Sequence, residues 1–513
     1  MAKFKKQLYG INLPTFEKQI AAKYLNPAKL DCKTVSDGII LPLRKTELPA
    51  TDGIYEGGVC DTDFNFIAGY KRIDNGRPNN FECIRSYKPS AEVEVCDEEV
   101  VFAGITFAHF GHFLVETFNR LWWVIQNQAF DKKIVFLKNK AFDSDFLKLL
   151  TYTGIPRENI IFLDKPTRFK KVYIPDQSLC YLNYYHQEYA LPYQTITTQI
   201  PAAGHKKIYL SRTQFRKKDC IGEEYFEQFY RNQGYHIVYP EQLDITEQIA
   251  LISGADEIVS TIGTISHLAL FAHEGAKIVT LLRARNYFNI PQAIINQAKG
   301  LDYTFVDATC NFLPHRYSAN CYYIGPTPMW QRFVKAEYGI DLNIDFFAYL
   351  NSDQSHMGDY FKQWLKIFSK PRDLKKIQND TTLNILNTLE LATANQDTPL
   401  QTTVEKLQND LGGNQDLRKT LSGKIFKFSR QNNSHLRVIV LADSGRIETI
   451  QGNANDNESF WAIRDNELVF LNINKQLTSR YFYLKETPDG YEGLGYYEPN
   501  RSIIFKLVEA KLA

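Results

Sequence analysis

Apolar and polar positions alternate over short distances through the first hundred residues. GIILPL, FNFIAGY, AEVEVC and VVFAGITF are separated there by Gly, Pro and Asp turns, a texture that predicts strands. The period then lengthens. From Phe107 to Gln126 the apolar residues Phe110, Phe113, Leu114, Phe118, Leu121, Val124 and Ile125 recur mostly three and four apart, which predicts one long helix. KKIVFL, FDSDFLKLLTYTG, NIIFL and KKVYIP continue as strands and helix in alternation, as in a parallel α/β layer. Residues 1–200 are read as an N-terminal α/β domain.

After Pro201 and Gly204 the alternation restarts. KKIYLS, YHIVYP, DEIVST and AKIVTLL read as strands; EEYFEQFYRNQG, DITEQIALISGA and SHLALFAHEG read as helices ending at or near Gly. A second, doubly wound Rossmann-like domain is therefore expected over 201–369. Residues 370–420 are polar with weak periodicity and read as a connector. From 421 to 513, seven short strands (KIFKFS, LRVIVLA, GRIETI, SFWAIR, ELVFLNI, RYFYLK, SIIFKLV) broken by turn clusters predict a small all-β module, an antiparallel barrel or sandwich. The fold class expected is α/β with an appended β module.

Composition narrows the partners. The 513 residues carry 60 Lys and Arg against 58 Asp and Glu, a net charge of +2, which makes no case for a nucleic-acid or membrane-surface binder. Hydrophobic residues at 44% and aromatic ones at 13% argue against a largely disordered chain. The eight cysteines form no C-x-x-C pair and read as scattered reduced thiols. The N-terminus MAKFKKQLYGINLPTFEKQI has no apolar core of signal-peptide length, and no run of 18 apolar residues occurs. A cytoplasmic location is expected, with any membrane association peripheral.

Three constellations could carry chemistry. His109, His112, Glu116 and Arg120 stand at i, i+3, i+7 and i+11 in HFGHFLVETFNR, along one helix face. A solvated face with a Glu116–Arg120 ion pair is one reading. A cleft wall is another, because the flanking residues are apolar enough to bury the helix and buried charges need a reason. A metal site on His109, His112 and Glu116 is a third, although the H-E-x-x-H spacing of zinc helices is missing. In IYLSRTQFRKKD, Ser211 and Arg212 end a predicted strand and Arg216 follows four residues later; two Arg forks at a strand end suit a diphosphate, and a surface cluster with Lys217 and Lys218 is the bland alternative. In STIGTISHLALFAHEG, Gly263 permits a tight turn before Thr264, Ser266 and His267, where an anion is favoured at a helix start and a plain N-cap is equally possible. The strings Asp61-Thr62-Asp63 and Asp143-Ser144-Asp145 are set aside as metal sites, the first for preceding an apolar run and the second for looking like a helix start.

Together the three constellations resemble glycosyltransferase family 61, bacterial and eukaryotic enzymes of GT-B fold that include capsular polysaccharide enzymes. The resemblance covers about residues 100–300. It rests on His112 to Glu116, on Ser211, Arg212 and Arg216, and most specifically on the ordered set Pro240-Glu241, Gln248, Ala255, Gly263 and Phe271-Ala272. It departs where many members have Asn or His before an L-L-F run, since Leu268 stands there with His267 one place earlier. The resemblance implies two Rossmann-like domains facing a cleft, and a sugar moved with inversion, without essential metal or cofactor, from a nucleoside diphosphate sugar, UDP-linked by expectation, to a glycan acceptor. Capsule or surface polysaccharide synthesis, in contact with its assembly complex, is the expected setting. Glu116 is then the expected general base with His112 as orienter or alternative base. Arg212, Arg216 and the Gly263 turn stabilise the leaving group, with Ser211, Thr264, Ser266 and His267 lining the donor site. Glu241 is assigned to the ribose or base, and His109 and Arg120 to the acceptor. The rival readings are a non-catalytic glycan-binding scaffold and a metal-dependent hydrolase using His109, His112 and Glu116.

Overall fold

The computed structural model describes residues 5–10, 13–45, 55–72, 82–138, 144–215, 220–284, 287–311, 321–353, 355–356, 359–360, 363, 415–464 and 467–510. Arg216 and most of the expected connector at 370–420 lie outside these. The chain divides into two compact units, Met1–Thr309 with Ile324–Leu342, and Cys310–Tyr323 with Asn343–Ala513.

The first unit holds two large sheets. One has six parallel strands in the order Lys6–Tyr9, Asp302–Asp307, Lys277–Leu282, Glu257–Thr261, Lys207–Leu210, His236–Val238. These strands read as nearly continuous apolar runs because helices cover both faces. The strand Lys207–Leu210 lies between its two successors, so the order reverses beside Glu257–Thr261. Ligands of open α/β sheets bind at the carboxyl ends of the strands flanking such a reversal. The other sheet is mixed. Ile39–Lys45, Tyr55–Cys60 and Phe66–Ala68 form an antiparallel meander, joined through Thr167–Pro175 to the parallel strands Glu94–Thr106, Lys133–Lys138 and Ile160–Leu163.

Pairing and packing run across residues 200 and 201: Lys6–Tyr9 pairs with Tyr303–Val306, and one apolar cluster joins Val101, Phe113 and Phe118 to Ile208, Leu268 and Phe271. The long helix expected over Phe107–Gln126 is two short ones, Phe110–Glu116 and Leu121–Gln126. Donors from elsewhere in the chain take the carbonyls around the break. The Tyr193 hydroxyl donates to the Leu114 carbonyl at 2.5 Å, the Tyr189 hydroxyl to Val115 at 2.8 Å, and Ser178 to Asn119 through both its amide and its hydroxyl. Backbone groups satisfied from outside no longer need the helical ladder.

In the second unit eight antiparallel strands follow one another from Ile425–Arg430 to Asn500–Glu509 and curl until the first edge meets the last, where Arg446 bridges Phe460. Phe428, Trp461, Phe470, Tyr481 and Leu507 fill its core. The strand missed by sequence is Gly490–Tyr497. A Cβ on Gly495 would stand 2.6 Å from the Arg480 carbonyl and 2.8 Å from the Tyr481 ring, so the glycine that weakens the strand signal is required by close packing.

Candidate active site

The helix Phe110–Glu116 lies against the 3-10 helix Thr264–Phe271, which replaces the α-helix expected after Gly263. The approach is close because residue 111 is glycine. A Cβ there would stand 2.9 Å from Thr264 Oγ1 and 3.2 Å from its Cγ2. This contact brings the first and third constellations into one site.

Glu116 is its buried anchor, with 1% of its surface exposed. Arg72 grips the carboxylate with two prongs, Nη2 to Oε1 at 2.7 Å and Nε to Oε2 at 2.9 Å, and the Tyr70 hydroxyl donates to Oε2. His112 Nδ1 meets Oε1 at 2.7 Å. Burial pushes the Glu116 pKa up, but the Arg72 charge and the hydrogen bonds from His112 and Arg72 outweigh it and hold the carboxyl below its usual value. The expected Glu116–Arg120 ion pair does not form. Arg120 donates instead to the carbonyls of Pro175 and Gly69, the latter at 2.9 Å, and burial brings its pKa down to about 10. Arg120 is 5% exposed, with its guanidinium turned to these backbone carbonyls.

His112 faces outward with 31% of its side chain exposed. The His109 ring is 5.2 Å away centre to centre, and the Tyr181 ring stands edge-on at 5.6 Å while also covering the Arg72 guanidinium at 4.7 Å. His267 closes the group from the 3-10 helix. Burial above all, then the neighbouring His112, lowers its pKa to about 3 against the pull of Asn289, so it is a neutral imidazole. Ser266 is the plain cap: its hydroxyl donates to the Gly263 carbonyl at 2.7 Å and accepts from the Gly263 amide at 3.3 Å.

The second constellation divides. Arg212, half-buried, follows the strand Lys207–Leu210, and its backbone amide donates to Glu223 Oε1 at 3.2 Å. Ser211 is fully buried, and its hydroxyl is spent on Glu227 at 2.9 Å in a network that Thr213, Tyr239 and Arg231 complete. These bonds brace the loop. Glu241 is exposed on the turn Pro240–Gln242, whose Pro240 carbonyl accepts from Gln248 at 2.8 Å. That turn follows the carboxyl end of the strand His236–Val238, at the edge of the six-stranded sheet. Asp61 is a turn residue, accepting from the amides of Asp63 and Asn65 at 2.9 and 2.8 Å, while the Ser144–Thr151 helix begins at the other D-x-D string.

Among the described residues no three His, Cys, Asp or Glu side chains are grouped to hold a metal ion. The trio His109, His112 and Glu116 is unsuited by its own bonding, since both Glu116 oxygens already accept from Arg72. Sequence reading missed Tyr70, Arg72, Tyr181, Glu223 and Arg283. Arg283 alone carried a signal, as a cation placed directly after the strand Lys277–Leu282.

No helix among the described residues is long and apolar enough to cross a membrane. No curated protein matches the chain. Residues 110–279 match the model of Glycosyltransferase 61, a span that opens on the Glu116 helix and closes within the strand Lys277–Leu282. The span that holds His112, Glu116, Arg212 and His267 is thus a glycosyltransferase family 61 domain within the longer chain.

Proposed function

We propose that the enzyme transfers a sugar, with inversion, from a nucleoside diphosphate sugar to a hydroxyl of a glycan acceptor, and that His112 is the general base. The observation that carries this reading is the 2.7 Å contact between His112 Nδ1 and a Glu116 carboxylate held ionised by Arg72. Nδ1 also lies 3.1 Å from Arg72 Nη2; with its proton directed at the nearer Glu116 oxygen, Nε2 is the nitrogen able to take one. Glu116, the base expected from sequence, is sealed behind His112 and becomes a positioning residue.

In the reaction His112 Nε2 takes the acceptor proton as the hydroxyl oxygen bonds to the anomeric carbon. The bond from that carbon to the diphosphate oxygen breaks, and its electron pair leaves with the diphosphate. Arg212 and the Gly263 turn, at the ends of the strands flanking the sheet reversal, support a diphosphate there. Guanidinium groups can balance the departing charge, so a metal ion is not required by this scheme. The two sheets of the first unit are then the two halves of a GT-B enzyme. A surface polysaccharide, made on the cytoplasmic side, is the acceptor class the family resemblance favours.

The test is release of nucleoside diphosphate from a panel of nucleotide sugars supplied with oligosaccharide acceptors, with and without EDTA, for the wild type and His112→Gln. Turnover in EDTA that His112→Gln abolishes supports the scheme. Binding without turnover supports the glycan-binding scaffold, and loss in EDTA restored by Mn²⁺ rejects metal independence.

A further inference from the structure

We propose that the outer face of the second unit's sheet, over the strands Leu477–Thr487 and Gly490–Tyr497, binds an uncharged stretch of glycan, with sugar rings lying on Phe482, Tyr483 and Tyr496. The inference rests on the glycan-acceptor reading above and adds a second place on the chain that holds such a polymer.

Side chains alternate between the two faces of a strand, so consecutive residues do not ordinarily share one. Here Tyr481 is buried in the core, and Leu484 packs against the same cluster. Between them the pairing slips. Tyr481 lies opposite Gly495 and Tyr483 opposite Leu494, which leaves Phe482 as an extra residue. A bulge of this kind re-aims side chains. Phe482 and Tyr483 both point outward as a result, 51% and 45% exposed. Tyr496 joins them from the next strand. It pairs with Arg480, one place along from the core-facing Tyr481 and Gly495, and its ring lies 5.9 Å from that of Phe482 and 21° from parallel.

Large apolar side chains gathered at a surface mark a place of binding, and their border says what binds. The charges that act on Tyr496 are Glu498, Arg501, Arg480 and Glu467, two of each sign. They are bonded to one another: Arg480 donates to Glu467 at 2.7 Å and Arg501 to Glu498 at 2.8 Å, with the Arg501 guanidinium over the Tyr496 ring at 4.9 Å. A balanced border offers no field to a nucleic acid or an anionic lipid surface. It does offer carboxylate and guanidinium edges to hydroxyl groups beside the rings. A sugar ring combines both needs, since its C–H face suits the negative face of an aromatic ring and its hydroxyls stand at the rim. The same chain carries a Glycosyltransferase 61 domain, which makes a glycan the polyhydroxyl partner at hand.

Native gels cast with dextran, pullulan, mannan or β-glucan read binding by the full chain without donor or turnover. At least one polymer should retard the wild type, and Phe482→Ser should weaken that affinity by roughly 10-fold or more at an unchanged melting temperature. Tyr496→Ser should act in the same direction; Phe482→Ser, on the more exposed ring, carries the test if Tyr496→Ser does not fold. His112→Gln should be retarded like the wild type, because it leaves the three rings untouched. Free migration of the wild type in all four gels overturns the glycan site, as does retardation unaltered in Phe482→Ser. A wild-type dimer in sedimentation that Phe482→Ser dissociates would make the face a contact between copies and overturn the proposal equally. Failure of the transfer reading shows elsewhere, in nucleoside diphosphate release, which these gels do not measure.

Discussion

His112 and Glu116 meet at 2.7 Å one helical turn apart, and they divide exposure between them: Glu116 shows no side-chain surface, while His112 keeps 31% of its own. The carboxylate faces Arg72 and Tyr70 inward and the imidazole faces the site outward. The pair is therefore a partly exposed imidazole on a buried carboxylate.

That division sets opposite outcomes for the two obvious variants. His112→Gln removes the base and little packing, so kcat should fall by roughly 10²-fold to 10⁴-fold with the melting temperature nearly unchanged. Glu116→Gln leaves the Arg72 guanidinium buried opposite a neutral amide. Breaking a buried pair in this way costs about 3–5 kcal/mol, so the melting temperature should drop steeply. Parallel kcat and melting curves on both variants check the assignment. If Glu116→Gln is as stable as wild type but inactive, Glu116 and not His112 acts on the acceptor.

Gly111→Ala tests the contact between the two helices. Alanine would gain about 1 kcal/mol of helix propensity over glycine. Its Cβ would also stand 2.9 Å from Thr264 Oγ1, and the helix must then back away from the 3-10 segment that carries His267. Activity is expected to fall by at least 10-fold in Gly111→Ala and to recover in the double variant with Thr264→Ala, which removes both opposing atoms. Kinetics of the two single variants and the double one give the coupling directly. Additive losses would show that the contact does not position the site.

How far the sequence reaches is visible in these residues. The His112-to-Glu116 spacing is local, so a helical period finds it. Arg72 and Tyr70 lie more than forty residues earlier in a strand-rich stretch, and no period connects them to Glu116. The helix break has the same origin, since the tyrosine hydroxyls that take its carbonyls come from residues 189 and 193. Strand ends are legible when strands are, which is why Arg212 and the Gly263 turn stood out. The same rule applied to AKIVTLL points to Arg283. The bonding of Ser211 and Arg120 was not legible, because sequence shows a polar side chain without showing which partner satisfies it.

Tyr193→Phe separates support from chemistry. Its hydroxyl donates to the Leu114 carbonyl inside a fully buried cluster, and removing it strands that acceptor away from water. The cost should be about 1–3 kcal/mol, read as a lower midpoint in urea with an unchanged slope. Turnover per folded molecule should stay within about two-fold. A selective loss of kcat at full stability would place the hydroxyl in the reaction.

The last expectation concerns pH. Burial raises the Glu223 pKa from near 4.5 to about 7, against the lowering effects of the Arg212 amide, the Arg212 and Arg283 charges and Tyr209. The unfolded chain releases this proton near the ordinary carboxylate value and the folded chain keeps it to about 7. Between those limits the folded state binds more protons, so stability contributed by Glu223 is complete below about pH 4 and is lost as pH rises to about 7. The difference is on the order of 3 kcal/mol. Glu223→Gln cannot release a proton and should remove that slope, gaining on wild type as pH rises through the window and holding the gain above it. Urea midpoints at pH 5, 6, 7 and 8 for the two proteins check this. Parallel pH curves would mean that Glu223 is already ionised at pH 5, with the two arginines outweighing its burial.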